Sequence, residues 1–501
     1  MDNGLIKYYV IISLLLLAAS VLLFANLGNQ YLWQDEAETA VLARNTLEYG
    51  VPKAFDGRNT VNPRIGIHSH VGFGNNFTWL YHPWVQFYVT AFSFLLFGVN
   101  TFAARFPFAF FGLLNILMLY LLAYRLTKKK FIAVCSSFFL TFSVPYLLLM
   151  RQCRYYAPAV FFVLTAVLFY VKFREKGSLR DLIILSVSLI LLGYTVHGVF
   201  IPIYAALALH YMLFSFDKKT FPKFFTAGLF IIGAVLPWFI YSRSSGHMAA
   251  IELEKIFKNL EFQVRITNKY FFPAVFFGII YLIRAAWKRD FKIYLTEDEK
   301  QSIILILTVV TSCIFMFCFV EQRHLRYIVY FIPLLAILES MIMLRLAKYN
   351  RALLALFLIV SVATGVFNMG YPNFLFPKYL YEITHDYDGP VEGIVDFLDR
   401  NAQEGDVVKI IYGDIPLIFY TDLTIDNSWV YDDNHMPKWI VFRRGWHELL
   451  DNDYYSKVQK HYDKHVLDYP DIRYENRPGD LGYHKFATDK EAPGVIVFEK
   501  R

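Results

Sequence analysis

Long apolar runs alternate with short polar loops along residues 1–370 of the chain. A helix needs roughly 17 to 25 apolar residues to cross the hydrocarbon core of a bilayer. About eleven runs reach this length, and they lie at about 5–25, 107–126, 131–150, 157–173, 181–196, 199–216, 222–241, 270–287, 302–320, 327–347 and 352–369. The pattern predicts a polytopic α-helical membrane protein whose first span is retained rather than cleaved as a signal peptide.

The polar loops differ in charge, and this difference orients the spans. Basic residues cluster in alternate loops, among them residues 128–130, 218–219 and 288–289. With a cytoplasmic N-terminus these loops all face the cytoplasm, as the positive-inside rule requires. Residues 28–105 then form a large first loop on the opposite, extracytoplasmic side.

One further apolar segment, residues 82–98, complicates the count of spans. Counting it as a span would place most of the later basic loops on the wrong side of the membrane. Its proline, its Gln86 and its aromatic residues suit a helix that lies in the interface. We therefore predict an interfacial helix, with a true span as the alternative.

The character of the chain changes after Phe367, and residues 371–501 are rich in Asp, Lys, Tyr and His. An amphipathic stretch at 391–401 precedes strand-like runs at 407–412, 439–442 and 495–498, and residues 446–461 look helical. The sequence thus predicts a membrane domain over 1–370 and a small α/β domain over 371–501. An odd number of spans places the second domain outside, together with the first loop.

Composition narrows the class of function. Hydrophobic residues make up 56% of the 501 positions, which excludes an ordinary soluble globular protein. The net charge of +7 does not indicate a nucleic-acid partner, because the basic residues fall in short clusters between spans. The sequence contains no glycine-rich phosphate loop, no cysteine pairs at zinc spacing and no serine nucleophile elbow, so direct use of a nucleotide substrate lacks support.

The string Trp33-Gln34-Asp35-Glu36-Ala37-Glu38 follows the first span and places carboxylates at the boundary between water and lipid. A carboxylate there can take a proton from a water-borne acceptor while a lipid-borne donor lies beside it, which suits glycosyl transfer from a lipid phosphate. The alternative is a solvated helix start, because the helix dipole favours acidic residues at that end.

This string begins a series that resembles the integral-membrane GT-C glycosyltransferases of family 39, which include the protein O-mannosyltransferases and the lipid A aminoarabinose transferase. The series continues with Ala43-Arg44-Asn45, His82-Pro83, Phe97-Gly98-Val99-Asn100 and Ala104-Arg105-Phe106-Pro107, and then with residues 151–156 and 323–327. It covers most of the membrane half. The resemblance implies a GT-C fold, and the count of spans adds about eleven transmembrane helices and an extracytoplasmic C-terminal α/β domain.

The resemblance also implies a function: an inverting transferase that uses a polyprenyl-phosphate-linked sugar as donor on the extracytoplasmic face. The absence of cytoplasmic domains and the lack of disulfides favour a bacterial or archaeal plasma (inner) membrane over the endoplasmic reticulum. The acceptor would be a lipid, a glycan or a protein. The family's first-loop aspartate corresponds to Asp35, as acceptor-activating base or acceptor binder, and Glu36 is the next candidate. Capping of the helix is the alternative role for Glu36.

Cations in two later outward loops are candidates for the donor site. Some relatives carry a carboxylate in the second outward loop, whereas this chain has Arg154 and Tyr155, which we expect to hold the donor phosphate or sugar. Arg323, Arg326 and Tyr327 lie between two long spans, where positive charge opposes the positive-inside tendency. A lipid phosphate would explain that charge, because guanidinium groups stabilise the leaving oxygen. Interfacial snorkelling and local ion pairing are the alternatives.

The histidines carry weaker signals. His68 and His70, near His82 and the acidic string, are weak candidates for a divalent metal site, so no cofactor is certain and a metal is possible. His197, at an outward helix end, is expected to contact sugar or phosphate, and His82 and Arg105 are expected to contact the acceptor or the loop.

Two other classes of function remain open. A transporter or flippase of lipid-linked glycans would place ionisable residues near the middle of spans and contain paired broken helices. This chain keeps its charges at the outward ends instead. A scaffold or receptor would leave the outward arginine cluster unexplained.

Overall fold

The computed structural model describes residues 3–62, 72–242, 252–270, 296–320, 323–355, 375–428, 436–445, 452–473 and 484–501. The helices of the membrane half are α1 (Asn3–Phe24), α2 (Gln34–Tyr49), α3 (Val85–Phe97), α4 (Thr101–Thr127), α5 (Lys130–Thr141), α6 (Val144–Met150), α7 (Tyr156–Lys176), α8 (Leu179–Gly193), α9 (His197–Phe214), α10 (Phe221–Ser242), α11 (Leu253–Tyr270), α12 (Glu297–Phe317) and α13 (Ile332–Tyr349).

The chain is a multi-pass membrane protein. Within the described ranges, six helices are long and apolar enough to cross a bilayer, namely α1, α4, α7, α9, α10 and α12. The shorter α8 and the more charged α13 coincide with two further predicted spans. The predicted spans at 270–287 and 352–369 lie mostly outside the described residues.

The predicted span at 131–150 is not one straight helix. It consists of α5 and α6, which are bent by 69° at a short break. Pro145 lies in the first turn of α6. Proline is tolerated there because the first amides of a helix need no intrahelical partner, but its ring would clash with a continuing helix on the N-terminal side. The break therefore follows from the sequence.

The apolar segment at 82–98, which complicated the count of membrane spans, contains α3, a helix of 13 residues. At 1.5 Å per residue it is about 20 Å long, too short for a hydrocarbon core of about 30 Å. Phe92 and Leu95 on this helix are 63% and 70% exposed. These features agree with the predicted interfacial helix.

In the described residues of the C-terminal part, five strands form a mixed sheet with helices packed on it. Its elements are α14 (Leu375–Glu382), α15 (Pro390–Asn401), β1 (Val407–Ile410), α16 (Asp414–Tyr420), β2 (Thr424–Asp426), β3 (Trp439–Phe442), α17 (Asn452–His461), β4 (Tyr462–Pro470) and β5 (Gly494–Lys500). The strand order is β2-β1-β3-β5-β4. Strand β1 is parallel to β2 and β3, whereas β5 is antiparallel to β3 and β4. The predicted α/β class is confirmed.

The C-terminal domain docks on α2 and on the loop that precedes it. Tyr31 stacks on Tyr420 with ring centroids 4.0 Å apart, and the Tyr420 hydroxyl lies 2.7 Å from that of Thr101 at the start of α4. Lys128 caps the other end of this helix of 27 residues, about 40 Å away at 1.5 Å per residue. The C-terminal domain and the basic loop at 128–130 thus lie at opposite ends of the bundle.

Candidate active site

Helix α2 carries three carboxylates in its first two turns: Asp35, Glu36 and Glu38. The helix begins after the extended Trp33 and ends at Gly50, whose φ of 74° is left-handed. Residues three apart lie on the same helix face, whereas neighbours are rotated by about 100°. Asp35 and Glu38 therefore share one face, and Glu36 points elsewhere.

Glu36 is fully buried in a two-pronged ion pair with Arg105 of α4. The Arg105 Nε and Nη2 atoms lie 2.9 and 2.7 Å from the two Glu36 oxygens, and the Cys153 backbone amide donates to one of them at 2.8 Å. Arg105 also donates to the carbonyls of Leu27 and Gln30. Both Glu36 oxygens are engaged, so the geometry favours a clamp between α2, α4 and the first loop over the predicted catalytic role.

Glu38 occupies a second buried position, and it was not among the site residues predicted from the sequence. The Arg154 Nη1 atom lies 3.0 Å from Glu38 Oε1, Asn62 donates to the other oxygen at 2.5 Å, and the His82 Nε2 atom is 3.7 Å away. Burial raises the pKa of Glu38, and the charge of Arg154 opposes this rise. Its spacing of three residues from Asp35 is the signal that could have predicted its place in the cluster.

Asp35 is the most accessible of the three carboxylates. Its side chain is 28% exposed, compared with 8% for Glu38 and 0% for Glu36. One oxygen, Oδ2, lies 2.9 Å from Arg326 Nη1 and 3.8 Å from Arg154 Nη2. Asp35 therefore lies between two cations that are predicted donor-site residues, and its side chain remains partly exposed.

Arg154 is almost fully buried in the turn between α6 and α7. Besides Glu38, it donates to the Asp35 carbonyl at 2.9 Å and to the Thr39 hydroxyl at 3.1 Å. Its guanidinium carbon lies 5.3 Å from the centre of the Tyr155 ring, a cation–π distance. All three of these hydrogen bonds run from the Arg154 Nη1 atom to residues of α2, so the geometry favours a role in holding the acidic face in place.

Arg326 lies in a single 3-10 turn, Leu325–Ile328, between α12 and α13. Its side chain is 15% exposed, and its Nη1 atom lies 3.4 Å from the Tyr156 hydroxyl. The neighbouring Tyr327 stacks on Phe317 with centroids 5.3 Å apart. This packing holds the turn, and with it the guanidinium of Arg326, against Asp35.

His82 joins the same cluster. Its Nε2 atom lies 3.3 Å from Arg154 Nη2, and its ring packs against Tyr81 and Tyr155 with centroids 4.6 and 5.7 Å away. The predicted site residues Asp35, His82, Arg154, Tyr155 and Arg326 are thus brought together around one face of α2.

Two predicted donor-site residues have other surroundings. The exposed Arg323 donates from Nε to Asn259 of α11 at 3.0 Å. The ring of His197 packs against Phe239 of α10 with centroids 4.2 Å apart. Neither contact is with a residue of the Asp35 cluster.

The predicted metal ligands His68 and His70 lie outside the described residues. Within the ranges that the structure describes, no group of three or more His, Cys, Asp or Glu side chains is arranged to hold a metal ion.

Comparisons with known proteins match part of the chain to a family model and give the fold of the chain. Residues 81–241 match the model of the dolichyl-phosphate-mannose-protein mannosyltransferase family. An uncharacterized protein of Aquifex aeolicus is 26% identical over 234 residues, which are 46% of this chain and 43% of that protein. The match thus spans less than half of that relative.

Solved structures resemble the chain over nearly its whole length. ArnT from Cupriavidus metallidurans, bound to undecaprenyl phosphate, has a TM-score of 0.59 at 12% identity, covering 99% of this chain and 98% of ArnT. The oligosaccharyltransferase AglB from Archaeoglobus fulgidus, in complex with an inhibitory peptide and a dolichol-phosphate, has a TM-score of 0.53 at 12% identity. This match covers 85% of this chain and 65% of AglB. The resemblance inferred from the sequence motifs is confirmed: the chain has the GT-C glycosyltransferase fold, and its residues 81–241 match the dolichyl-phosphate-mannose-protein mannosyltransferase family.

Proposed function

We propose that this protein is an inverting glycosyltransferase that moves a sugar from a polyprenyl-phosphate donor to an extracytoplasmic acceptor, which is a lipid, a glycan or a protein. The observation that carries the proposal is the place of Asp35. This partly exposed carboxylate lies 2.9 Å from the guanidinium of Arg326 at one end of a membrane bundle. A carboxylate that can serve as a base and a cation that can bind phosphate are thus adjacent, which supports transfer at the boundary between lipid and water.

The donor would present its phosphate to Arg326. When the bond between sugar C1 and the phosphate oxygen breaks, its electron pair stays on that oxygen, and the negative charge on the departing polyprenyl phosphate grows. A preorganised guanidinium stabilises that charge more in the transition state than in the ground state. The undecaprenyl phosphate and dolichol-phosphate bound by ArnT and AglB support a donor of this class.

Asp35 would act as the base. The acceptor oxygen attacks C1 from the face opposite the phosphate, which inverts the configuration, and its proton passes to Asp35. Before the donor binds, Arg326 pairs with Asp35. A phosphate that competes for this guanidinium would weaken the pair and leave the carboxylate more basic, so we expect the donor to bind before the acceptor.

The outward location rests on the distribution of charge. The site lies at the end of the bundle opposite Lys128, Lys129 and Lys130, and basic loops favour the cytoplasmic side. This supports a site and a C-terminal domain on the extracytoplasmic side of a plasma membrane.

Purified full-length protein in lipid nanodiscs tests the proposal. Radiolabelled polyprenyl-phosphate sugars serve as donors, and water serves as the surrogate acceptor, so that release of free sugar reports bond cleavage. Asp35→Asn should lower turnover by about 10² or more while donor binding persists. Glu48→Gln, an exposed change at the far end of α2, is the matched control and should leave turnover unchanged.

Two results would contradict the proposal. One is normal turnover by folded Asp35→Asn protein. The other is movement of lipid-linked sugar across vesicles by a protein that cleaves no glycosyl bond, which would favour the flippase.

A further inference from the structure

Helix α11 carries three stripes of different character: one apolar, one charged and one of side-chain amides. Leu253, Phe257, Leu260 and Val264 recur at the spacing that places side chains on one stripe of a helix. A second stripe, about 100° away by helix geometry, is charged and consists of Glu254, Lys258, Glu261 and Arg265. A third stripe carries the amides Asn259 and Gln263.

The amide stripe is the one that packs on the protein. Asn259 and Gln263 are 2% and 3% exposed. The Asn259 amide donates to the carbonyls of Cys318 and Val320, just past the end of α12, at 2.8 and 2.9 Å. Gln263 donates to the Ile314 carbonyl, one turn inside that span, at 3.3 Å. The helix therefore lies across the point where α12 leaves the membrane.

The apolar stripe faces away from the protein. Its members are 72%, 67%, 37% and 52% exposed for Leu253, Phe257, Leu260 and Val264, respectively. A helix that exposes four large apolar side chains on one stripe needs an apolar partner there, because exposed apolar area is unfavourable in water.

The position of the helix selects that partner. Because α11 contacts the last turn of a membrane-spanning helix, its outer face lies at the depth of the lipid headgroups. An amphipathic helix at this depth buries its apolar side in the acyl boundary and keeps its charges among the headgroups. The flanking stripe, where Lys258 pairs with Glu254, supplies such charges.

We infer that α11 is an interfacial helix whose apolar stripe of Leu253, Phe257, Leu260 and Val264 lies in the outer leaflet. The helix thereby holds Arg323 and the following turn, Leu325–Ile328, at headgroup depth. Asn259 provides the mechanical link. Its side-chain oxygen accepts from Arg323 Nε at 3.0 Å, while its amide nitrogen holds the backbone that leads into the turn. This second part of the inference, that the helix positions a phosphate-binding turn, rests on the proposed function.

The membrane position can be measured without any turnover. Single cysteines replace Phe257 or Val264 on the apolar stripe and Lys258 or Glu261 on the charged stripe, and each carries an NBD fluorophore in full-length protein in phosphatidylcholine/phosphatidylglycerol nanodiscs. Parent protein treated in the same way corrects for native cysteines. Nitroxide lipids labelled near the headgroup should quench the apolar-stripe probes at least about threefold more than the charged-stripe probes. Equal quenching of the probes on both stripes would overturn the inference. Protection of the apolar-stripe probes that depends on dimerisation of the protein would also overturn it.

The effect of α11 on the binding of the donor is measured in a separate experiment. Phe257→Glu should raise the KM for the polyprenyl-phosphate donor about tenfold, because a charge on the apolar stripe weakens the binding of the helix to the interface. Lys258→Gln, the matched change on the charged stripe, should leave the KM unchanged. An unchanged KM in folded, membrane-inserted Phe257→Glu protein would refute the link. If the parent protein itself transfers no sugar, the proposed function fails, and the quenching result still decides where α11 lies.

Discussion

The strongest test of the site is the removal of the charge at Arg326. Its guanidinium lies 2.9 Å from Asp35, and its side chain is only 15% exposed, so solvent screens it weakly. Two unit charges about 4 Å apart interact by about 4 kcal/mol at an effective dielectric constant of about 20. If the charge that develops on the departing phosphate lies about 4 Å from the Arg326 guanidinium, Arg326→Ala should slow the chemical step by about 10³, because each 1.36 kcal/mol is a factor of ten.

Arg326→Lys separates charge from geometry. Lysine keeps the positive charge but loses the planar pair of donors that meets two oxygens at once. The loss of one hydrogen bond is worth about 1 kcal/mol, so the lysine variant should be slower than the parent by roughly tenfold or less. The expected order of rates is parent, then lysine, then alanine.

The assay is single-turnover cleavage of a polyprenyl-phosphate sugar in nanodiscs, which isolates chemistry from product release. Donor affinity is measured in parallel by competition with unlabelled polyprenyl phosphate. Arg58→Ala, at an exposed position of the first loop, is the matched control for loss of an arginine. If folded Arg326→Ala protein cleaves the donor within threefold of the parent rate, as a limit of about 0.7 kcal/mol, the phosphate role of Arg326 is refuted.

Three further predictions concern the surrounding structure. Glu36→Gln leaves Arg105 without its buried counter-charge, so the free energy of unfolding should fall by about 3 to 5 kcal/mol. The protein that remains folded should keep most of its turnover. Full stability with lost turnover would instead support the catalytic role of Glu36. Burial raises the pKa of Glu392 to about 7, so the folded state holds an extra proton between about pH 4.5 and 7. Stability should decline as pH rises through that window, and Glu392→Gln should flatten the decline in a melting curve. Cysteines at Lys128 and Lys464, both exposed, should react with impermeant maleimide from opposite sides of sealed vesicles; labelling from one side would contradict the topology.

Much of the architecture follows from the pattern of the sequence, because membrane spans and buried strands are marked by long or alternating apolar runs. Strand β4 was not predicted because Asp463, Lys464, His465 and Asp468 interrupt its apolar residues, as suits a strand at the edge of the sheet. Strand β2 was not predicted because three residues give no period. Helices α5 and α6 were predicted as one span because hydropathy does not detect a proline break.

The site was less predictable than the fold, and the reason is distance along the chain. The pair of Asp35 and Arg326 joins residues 291 positions apart, so each could be proposed from its surroundings but the contact between them could not. Glu36 illustrates the opposite case, in which neighbours along the chain have different surroundings in the fold. The sequence places it beside Asp35, and only the fold reveals that its direction on α2 leads into the buried Arg105.

Two independent contacts fix the helix that presents Asp35, and one of them comes from the C-terminal domain. On the membrane side, Arg105 holds Glu36, the residue after Asp35. On the other side, Gln34, the residue before it, donates to Asp414 at 2.6 Å and accepts from the Gly413 amide at 3.2 Å. A carboxylate that must meet an acceptor within a few tenths of an ångström benefits from such support on both flanks. The C-terminal domain is therefore structurally part of the wall that positions Asp35, although its residues lie some 380 positions away along the chain.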